Sequence, residues 1–241
     1  MIQVGRIRKS FGSVQAVGDI SFTAPDGAIT GLLGENGAGK TTTLGLICGL
    51  IRADEGSIQV GAGDSTPVER RRRLGALLDH KGLYERLTAR ENIAYFGRLQ
   101  GIPRGALQAR VQDVVTQLGL EGVADRRTGD FSQGERMKVA LGRALVHGPA
   151  HLLLDEPTNG LDIRSVHGLR EVLRRMRERG ACIVFSSHVI EEVRALCDKV
   201  VIVSHGRVVA DGDAAEVCRQ AGRASLEDAF MRLTGREEVA S

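Results

Sequence analysis

Short apolar runs alternate with longer amphipathic stretches along this chain, and the period changes from two to 3.6 and back. Residues 2–24 read as antiparallel β structure: Ile20 and Phe22 alternate with Ser21 and Thr23, and Pro25-Asp26-Gly27 makes a turn. Ala28 to Leu33 is apolar enough for a buried strand, and Thr41 to Leu50 fits a helix with Leu44, Ile47 and Leu50 facing inward. Asp54-Glu55-Gly56 turns into a short strand, Ser57 to Val60. Pro67 to Arg73 then fits a helix and Leu74 to Leu78 a buried strand.

The middle of the chain is helical in pattern. Thr88-Ala89-Arg90-Glu91 is a capping box that opens a helix to about Leu99, because the Thr hydroxyl and the Glu carboxylate satisfy each other's backbone N–H groups. Pro103 and Gly105 introduce a second helix, with Leu107, Val111, Val114, Val115 and Leu118 at helical spacing. Ser132-Gln133-Gly134-Glu135 is another capping box, ahead of Val139, Leu141 and Leu145. From His151 the α/β pattern returns. Leu152-Leu153-Leu154 and Cys182-Ile183-Val184-Phe185 are continuous apolar runs, as expected of strands covered on both faces, with a long amphipathic helix from Asp162 to Arg179 between them. Val200–Val203 and Val208–Ala210 flank His205-Gly206 as a hairpin, and two short helices follow around 214–220 and 226–233. A mainly helical insert over about 80–148 thus interrupts an α/β core that runs to about residue 221. Residues 222–241 are expected to form a short C-terminal helical tail.

Composition narrows the class. The 241 residues are 42% hydrophobic but only 3% aromatic, so a substantial core is built from Leu, Val, Ile and Ala. No apolar stretch approaches the ~18 residues needed to cross a bilayer. Met1-Ile2-Gln3-Val4-Gly5-Arg6 lacks a signal-peptide layout, so the expectation is a soluble cytoplasmic protein. Cys48, Cys182, Cys197 and Cys218 are far apart among apolar neighbours and read as reduced core or near-core residues. Net charge is +3, and the arginine clusters at 70–73 and 174–179 read as solvated helix faces, so no nucleic-acid partner is expected.

The candidate chemistry lies at the ends of the apolar runs. Gly34-Glu35-Asn36-Gly37-Ala38-Gly39-Lys40-Thr41 fits G-x-x-x-x-G-K-[ST] between a strand and a helix. Glycines let backbone N–H groups turn toward a polyphosphate, and the helix N-terminus adds partial positive charge. Lys40 is placed to reach the β- and γ-phosphates and Thr41 to ligate Mg²⁺. Leu152-Leu153-Leu154-Asp155-Glu156 ends an apolar strand in two carboxylates, Asp155 for Mg²⁺ and Glu156 to accept a proton from attacking water. Ser186-Ser187-His188 ends the next strand, with His188 placed to contact the γ-phosphate. Ser132 and Gly134 at a helix start make a second anion site from free N–H groups and a hydroxyl.

The order of these segments resembles the ATP-binding subunit of ABC transporters over nearly the whole chain. The resemblance implies an α/β fold: a P-loop NTPase core, RecA-like with a mostly parallel sheet, carrying an antiparallel β subdomain and a helical subdomain. It assigns Walker A to Gly34–Thr41, with Thr42 completing the nucleotide contacts, and the signature to Phe131–Glu135, including Gln133. Walker B is Leu152–Glu156, the switch histidine is His188, and Pro157–Asp162 is the D-loop with Asp162 as its acid. Phe11 lies where the family stacks an aromatic ring on adenine. Asp79 stands where glutamine is usual, and the signature reads FSQGE rather than LSGGQ. Asp79-His80-Lys81-Gly82-Leu83-Tyr84, FSQGE and Leu226-Glu227-Asp228-Ala229-Phe230 resemble the bacterial exporter branch, above all the sodium-extrusion ATPases.

The resemblance further implies ATP and Mg²⁺, and a homodimer or heterodimer with two ATPs between one copy's Lys40 loop and the other's Ser132 helix. It also implies a separate integral-membrane permease and a place on the inner face of the membrane. The surface around residues 79–100 is the implied coupling face. A non-transport ATPase of the same family, in DNA repair or translation, is the alternative, but such relatives carry a zinc insert, long coiled coil or second cassette that this chain lacks. An unrelated P-loop kinase or GTPase is disfavoured by the signature and switch histidine.

Overall fold

Strand alternation divides the interior into two cores, one on each face of a single sheet. In the computed structural model, which describes residues 1–63, 66–78 and 82–235, nine strands form this sheet in the order β4-β1-β2-β9-β8-β3-β7-β6-β5. The strands are β1 (Ile2–Phe11), β2 (Val14–Ala24), β3 (Ile29–Leu33), β4 (Glu55–Val60), β5 (Leu74–Leu77), β6 (His151–Asp155), β7 (Cys182–Ser187), β8 (Lys199–Ser204) and β9 (Arg207–Gly212). Ile29, Leu33, Leu152, Leu154, Ile183, Phe185, Val200 and Ile202 face one core, while Leu32, Leu153, Cys182, Val184, Val201 and Val203 face the other. Strands buried on both faces read as unbroken apolar runs, as the sequence has them.

The neighbours β8-β3-β7-β6-β5 are parallel throughout, whereas β1 pairs antiparallel with β2 and β4, and β8 with β9. The β8–β9 turn closes at His205 (φ 49°) and Gly206 (φ 72°), the pair of positive angles that suits a tight hairpin. The P-loop fold with its antiparallel β portion is therefore the one expected.

Helix α1 (Lys40–Cys48) follows β3, and α2 (Pro67–Arg73) precedes β5. Between β5 and β6 lie α3 (Ala89–Leu99), α4 (Arg104–Gln117) and α5 (Gln133–Leu145). They share a core through Ile93, Leu107, Val111, Val114, Val115, Leu118, Val139, Leu141 and Leu145. Thr88 and Ser132 cap α3 and α5 with the reciprocal bonds that the sequence pattern requires. After β6 come α6 (Ile163–Glu178), α7 (Ile190–Leu196), α8 (Ala214–Ala221) and α9 (Leu226–Leu233). Leu226, Ala229 and Phe230 anchor α9 in the same core as α7 and α8.

Three expectations change. Helix α1 stops at Cys48, because Gly49 turns left-handed at φ 75° and its N–H bonds back to Leu46, so Leu50 leaves the helix and is 65% exposed rather than inward. The arginine run 70–73 is not merely a solvated face. Arg70 is buried, Arg71 donates to the Gly49 carbonyl at 2.7 Å, and Arg73 donates to the Val60 and Ala62 carbonyls, both at 3.1 Å. The second cluster is also engaged: Arg174 pairs with Glu171 and Arg177 with Asp198. Among the described residues all four cysteines are free thiols, Cys48 and Cys182 buried and the others partly so. Burial pushes the Cys182 thiol up to about 11. Asp79, His80 and Lys81, and residues 236–241 of the expected tail, lie outside the described residues.

Candidate active site

Parallel register brings the site together. Leu33 of β3 lies opposite Ser187 of β7, and Asp155 of β6 lies opposite Ser186. Gly34, Glu156 and His188 therefore emerge at the same edge of the sheet, each one residue past the end of its strand, with β6 ending one residue earlier in register than β3 and β7. This is the crevice outside the carboxyl ends of an α/β sheet, where the backbone leaves room for a ligand.

The loop after β3 wraps the start of α1. Gly37 (φ 83°) and Gly39 (φ 101°) adopt left-handed angles, and a Cβ at Gly39 would lie 2.5 Å from the Ala16 carbonyl oxygen. Only glycine fits there, and with Gly39 at the N-cap no side chain caps α1. The uncapped first turn keeps its partial positive charge for an anion. Lys40 is buried and folds back over the loop, donating to the Gly34 carbonyl at 2.7 Å and the Glu35 carbonyl at 3.0 Å. Asn36 and Gly37 are exposed at the loop's crest, Ala38 is buried and Thr42 is half-buried.

The two halves of the site meet across this loop. Thr41 Oγ1 donates to Asp155 Oδ2 at 2.7 Å, and Lys40 Nζ lies 3.3 Å from Glu156 Oε1. Glu156 Oε2 is 2.8 Å from His188 Nδ1. Glu156 itself adopts φ 46°, an uncommon conformation for a residue with a side chain, and its N–H bonds to the Ser186 carbonyl and hydroxyl. The sharp turn aims the carboxylate between Lys40 and His188. Thr41 and Asp155 offer a hydroxyl and a carboxylate oxygen at one point, a donor set that suits a hard cation such as Mg²⁺.

Helix α5 supplies the second helix start. Gln133 donates to the Asn159 carbonyl at 3.1 Å, and a Cβ at Gly134 would lie 2.2 Å from Ser165 Oγ, so this helix start packs directly on the segment around Asp162. Asp162 caps α6 through the Ser165 N–H at 2.9 Å and hydroxyl at 2.7 Å, and these bonds hold its carboxyl below the usual range. One correction falls here. The Ser132 N–H and hydroxyl are not free: both bond to Glu135, at 2.8 Å and 3.0 Å, because the capping box closes on itself. An anion arriving at this helix has to compete with Glu135.

Phe11 ends β1 and is 50% exposed, with Lys9 Nζ 5.4 Å from its ring centroid. It pairs with Val14 in the β1–β2 hairpin, whose Ala16 abuts Gly39, so the ring stands on the element that backs the phosphate loop.

Sequence reasoning missed Ser186, Thr158, Ser187 and Glu192. Ser186 donates to Asp155 Oδ1 at 2.5 Å while accepting the Glu156 N–H, which fixes both acids. Two fully buried serines ending an otherwise apolar strand were the available signal.

A phosphate loop at a sheet crevice, an acid pair at the end of the strand one removed from it and a helical lobe reaching back to it define a nucleotide-hydrolysing P-loop cassette. Comparison with known proteins specifies it further. The chain belongs to the ABC transporter family, whose model matches residues 17–159. It is 46% identical over 202 residues to the ABC transporter ATP-binding protein NatA of Bacillus subtilis (strain 168), covering 83% of this chain and 82% of that protein. It is 36% identical over 237 residues to the linearmycin resistance ATP-binding protein LnrL of the same organism, covering 97% of this chain and 75% of that one. A solved structure of the ATP-binding subunit of an ABC transporter superposes with a TM-score of 0.87 at 29% identity, over 97% of this chain and 99% of its own. The protein is thus a transport-associated ATPase that binds and hydrolyses ATP. A repair or translation role is not favoured.

Proposed function

We propose that two copies of this chain, or one copy and a related subunit, close head to tail over two ATP molecules. Each ATP lies between one copy's phosphate loop and the α5 start of the other, and the cycle drives export through a separate membrane permease. The observation that carries this reading is the convergence of Lys40 at the start of α1 with Glu156 and His188 just past the ends of β6 and β7, with Thr41 and Asp155 joined beside them.

The chemistry follows from that arrangement. Lys40 gives up its carbonyl partners and the Glu156 carboxylate for the β- and γ-phosphates. Glu156, released from Lys40, takes a proton from water as the water oxygen attacks the γ-phosphorus and the bond to the ADP oxygen breaks. His188 holds Glu156 on one side and the γ-phosphate on the other. Thr41 and Asp155 would hold Mg²⁺, whose positive charge would offset negative charge on the nucleotide. Phosphoryl transfer needs mainly such positioning and charge compensation. Phe11 stacks on adenine. Asp162 and Gln133 fix the surface between Asn159 and the α5 start. A helix start on the far lobe has reason to bear on phosphate only when supplied to a second copy.

No helix among the described residues is long and apolar enough to cross a membrane, which supports a separate spanning partner. A cleft of about 330 Å³ between α1, α2 and β5 on one side and α3 and α5 on the other is its docking place. Exposed Leu50 and the Phe96 ring, with the Arg143 guanidinium 3.7 Å from its centroid, give it an apolar lining. In this reading the subunit works at the cytoplasmic face of the membrane. Na⁺ is the cargo that the resemblance to sodium-extrusion ATPases suggests, and the likeness to a linearmycin resistance protein supports a drug- or lipid-like compound.

The test replaces Ser132 by Trp in every copy and measures ATP hydrolysis with the membrane partner reconstituted. The shared-site reading expects turnover to collapse while ATP still binds each monomer. Undiminished turnover overturns it.

A further inference from the structure

Glu192 Oε2 accepts two hydrogen bonds at once, from Thr158 Oγ1 at 2.6 Å and from Ser187 Oγ at 2.8 Å. Thr158 is buried in the loop two residues beyond Glu156, and Ser187 is fully buried immediately before His188. Glu192 sits on α7, half-buried beneath both. We propose that Glu192 is a positioning residue for ATP hydrolysis: one carboxylate oxygen ties the loop 157–162 to the end of β7 and so sets how His188 meets Glu156.

The physical argument starts from the two hydroxyls. Each is buried and needs an acceptor. A carboxylate serves both through short, charge-assisted bonds, so neither strand end moves without the other. The Ser187 hydroxyl also accepts the Val189 N–H at 3.0 Å, which fixes the backbone on both sides of His188. On the other side, Asn159 N–H bonds to the Glu156 carbonyl at 3.1 Å, so the loop that carries Thr158 is continuous with the strained turn at Glu156. The tie extends further: the Asn159 carbonyl accepts the Gln133 side chain at 3.1 Å. Bonded groups therefore run from the start of α5 through residues 159 and 158 to Glu192, and on through Ser187 to His188. A displacement of the helical lobe reaches the histidine along this line. Glu192 bonds to neither Glu156 nor Lys40 and acts only through its two hydroxyl partners.

This inference rests on the roles proposed for Glu156 and His188, and the experiment separates the two. The full chain is compared with its Glu192→Ala, Glu192→Gln and Thr158→Val variants and the Thr158→Val/Glu192→Ala double variant. The readouts are kcat and KM for ATP, nucleotide affinity and thermal unfolding. Glu192→Ala is expected to lower kcat by about tenfold or more, since small misplacements of reacting groups are felt strongly, with ATP affinity changed less than about twofold. Glu192→Gln recovers most of the loss, because its amide oxygen accepts both hydroxyls. Thr158→Val adds little to Glu192→Ala, because both cut the same tie. Wild-type kcat in Glu192→Ala overturns the proposal. So does a Gln variant as impaired as the Ala variant, or Thr158 and Glu192 losses that multiply independently. If Glu192→Ala does not fold, Thr158→Val decides alone: unchanged kcat overturns the tie. Glu156→Gln in the same assay tests the underlying site. Should that variant keep its turnover, the site assignment fails, and overlap of the Thr158 and Glu192 losses still shows whether the tie governs hydrolysis.

Discussion

Glu156 Oε2 stands 2.8 Å from Nδ1 of His188, although the two residues are 32 positions apart and follow different strands. Adjacent parallel strands in the register Asp155↔Ser186 make this contact, and the left-handed turn at Glu156 directs the carboxylate into it. The same carboxylate faces Lys40 on its other side, so one acid joins the phosphate loop to the strand-end histidine.

Replacing Glu156 by Gln keeps the shape but removes the proton acceptor. Phosphate release is expected to fall by about 10²–10⁴-fold, the range for losing a general base, while ATP binding persists. Single-turnover phosphate release beside equilibrium ATP binding measures both. Near-normal turnover rules Glu156 out as the base.

Asp155 and Thr41 are expected to share the metal. Chelating divalent cations abolishes hydrolysis, and Asp155→Asn raises the Mg²⁺ concentration needed for half-maximal activity, since a carboxylate oxygen is exchanged for a weaker neutral donor. A Mg²⁺ titration of the variant at saturating ATP is the measurement. An unshifted midpoint assigns the metal to other groups.

Two glycines of the phosphate loop respond differently to alanine. At Gly39 a methyl would meet the Ala16 carbonyl at 2.5 Å as well as sit at φ 101°, so Gly39→Ala loses about 1–3 kcal/mol from backbone strain plus the clash, together with ATP affinity. Gly37 has φ 83° with nothing within 4 Å of the added methyl, so Gly37→Ala costs about 1–2 kcal/mol from the backbone alone. Denaturant unfolding of both variants checks the order. Equal destabilisation contradicts it.

Acid sensitivity is expected to begin near neutrality. Burial pulls the His147 imidazole below its ordinary 6.5, and only the Leu74 carbonyl, 3.2 Å from Nε2, works the other way. Burial and the N-terminal ammonium do the same to His151. A histidine held neutral in the fold protonates first in the unfolded chain. The stability it contributes is therefore complete above about 6.5 and is lost as pH falls toward the folded value. Melting curves between pH 8 and 5 show a falling midpoint, and His147→Gln flattens the slope in that window. A midpoint independent of pH there discounts both histidines.

Legibility differed by the range of the interaction. The phosphate loop, the two acids and the capping boxes were visible because each is a local pattern whose spacing encodes its geometry. The end of α1 was misjudged by two residues, since Leu50 continues the helical period that Gly49 breaks. The arginines at 70–73 read as a solvated face because their acceptors, the Gly49, Val60 and Ala62 carbonyls, are brought near only by folding.

By itself the sequence determined the elements, the strand–loop–helix around Lys40 and the acid pair after Leu154, because backbone propensity and side-chain period act within a few residues. The tertiary structure alone decided that Glu156 lies between Lys40 and His188, that Ser186 holds both acids, that Ser132 closes on Glu135 and that Glu192 joins Thr158 to Ser187. Those relations depend on which strands lie side by side and in what register. That is fixed by burying two apolar faces at once, not by any short stretch of the chain.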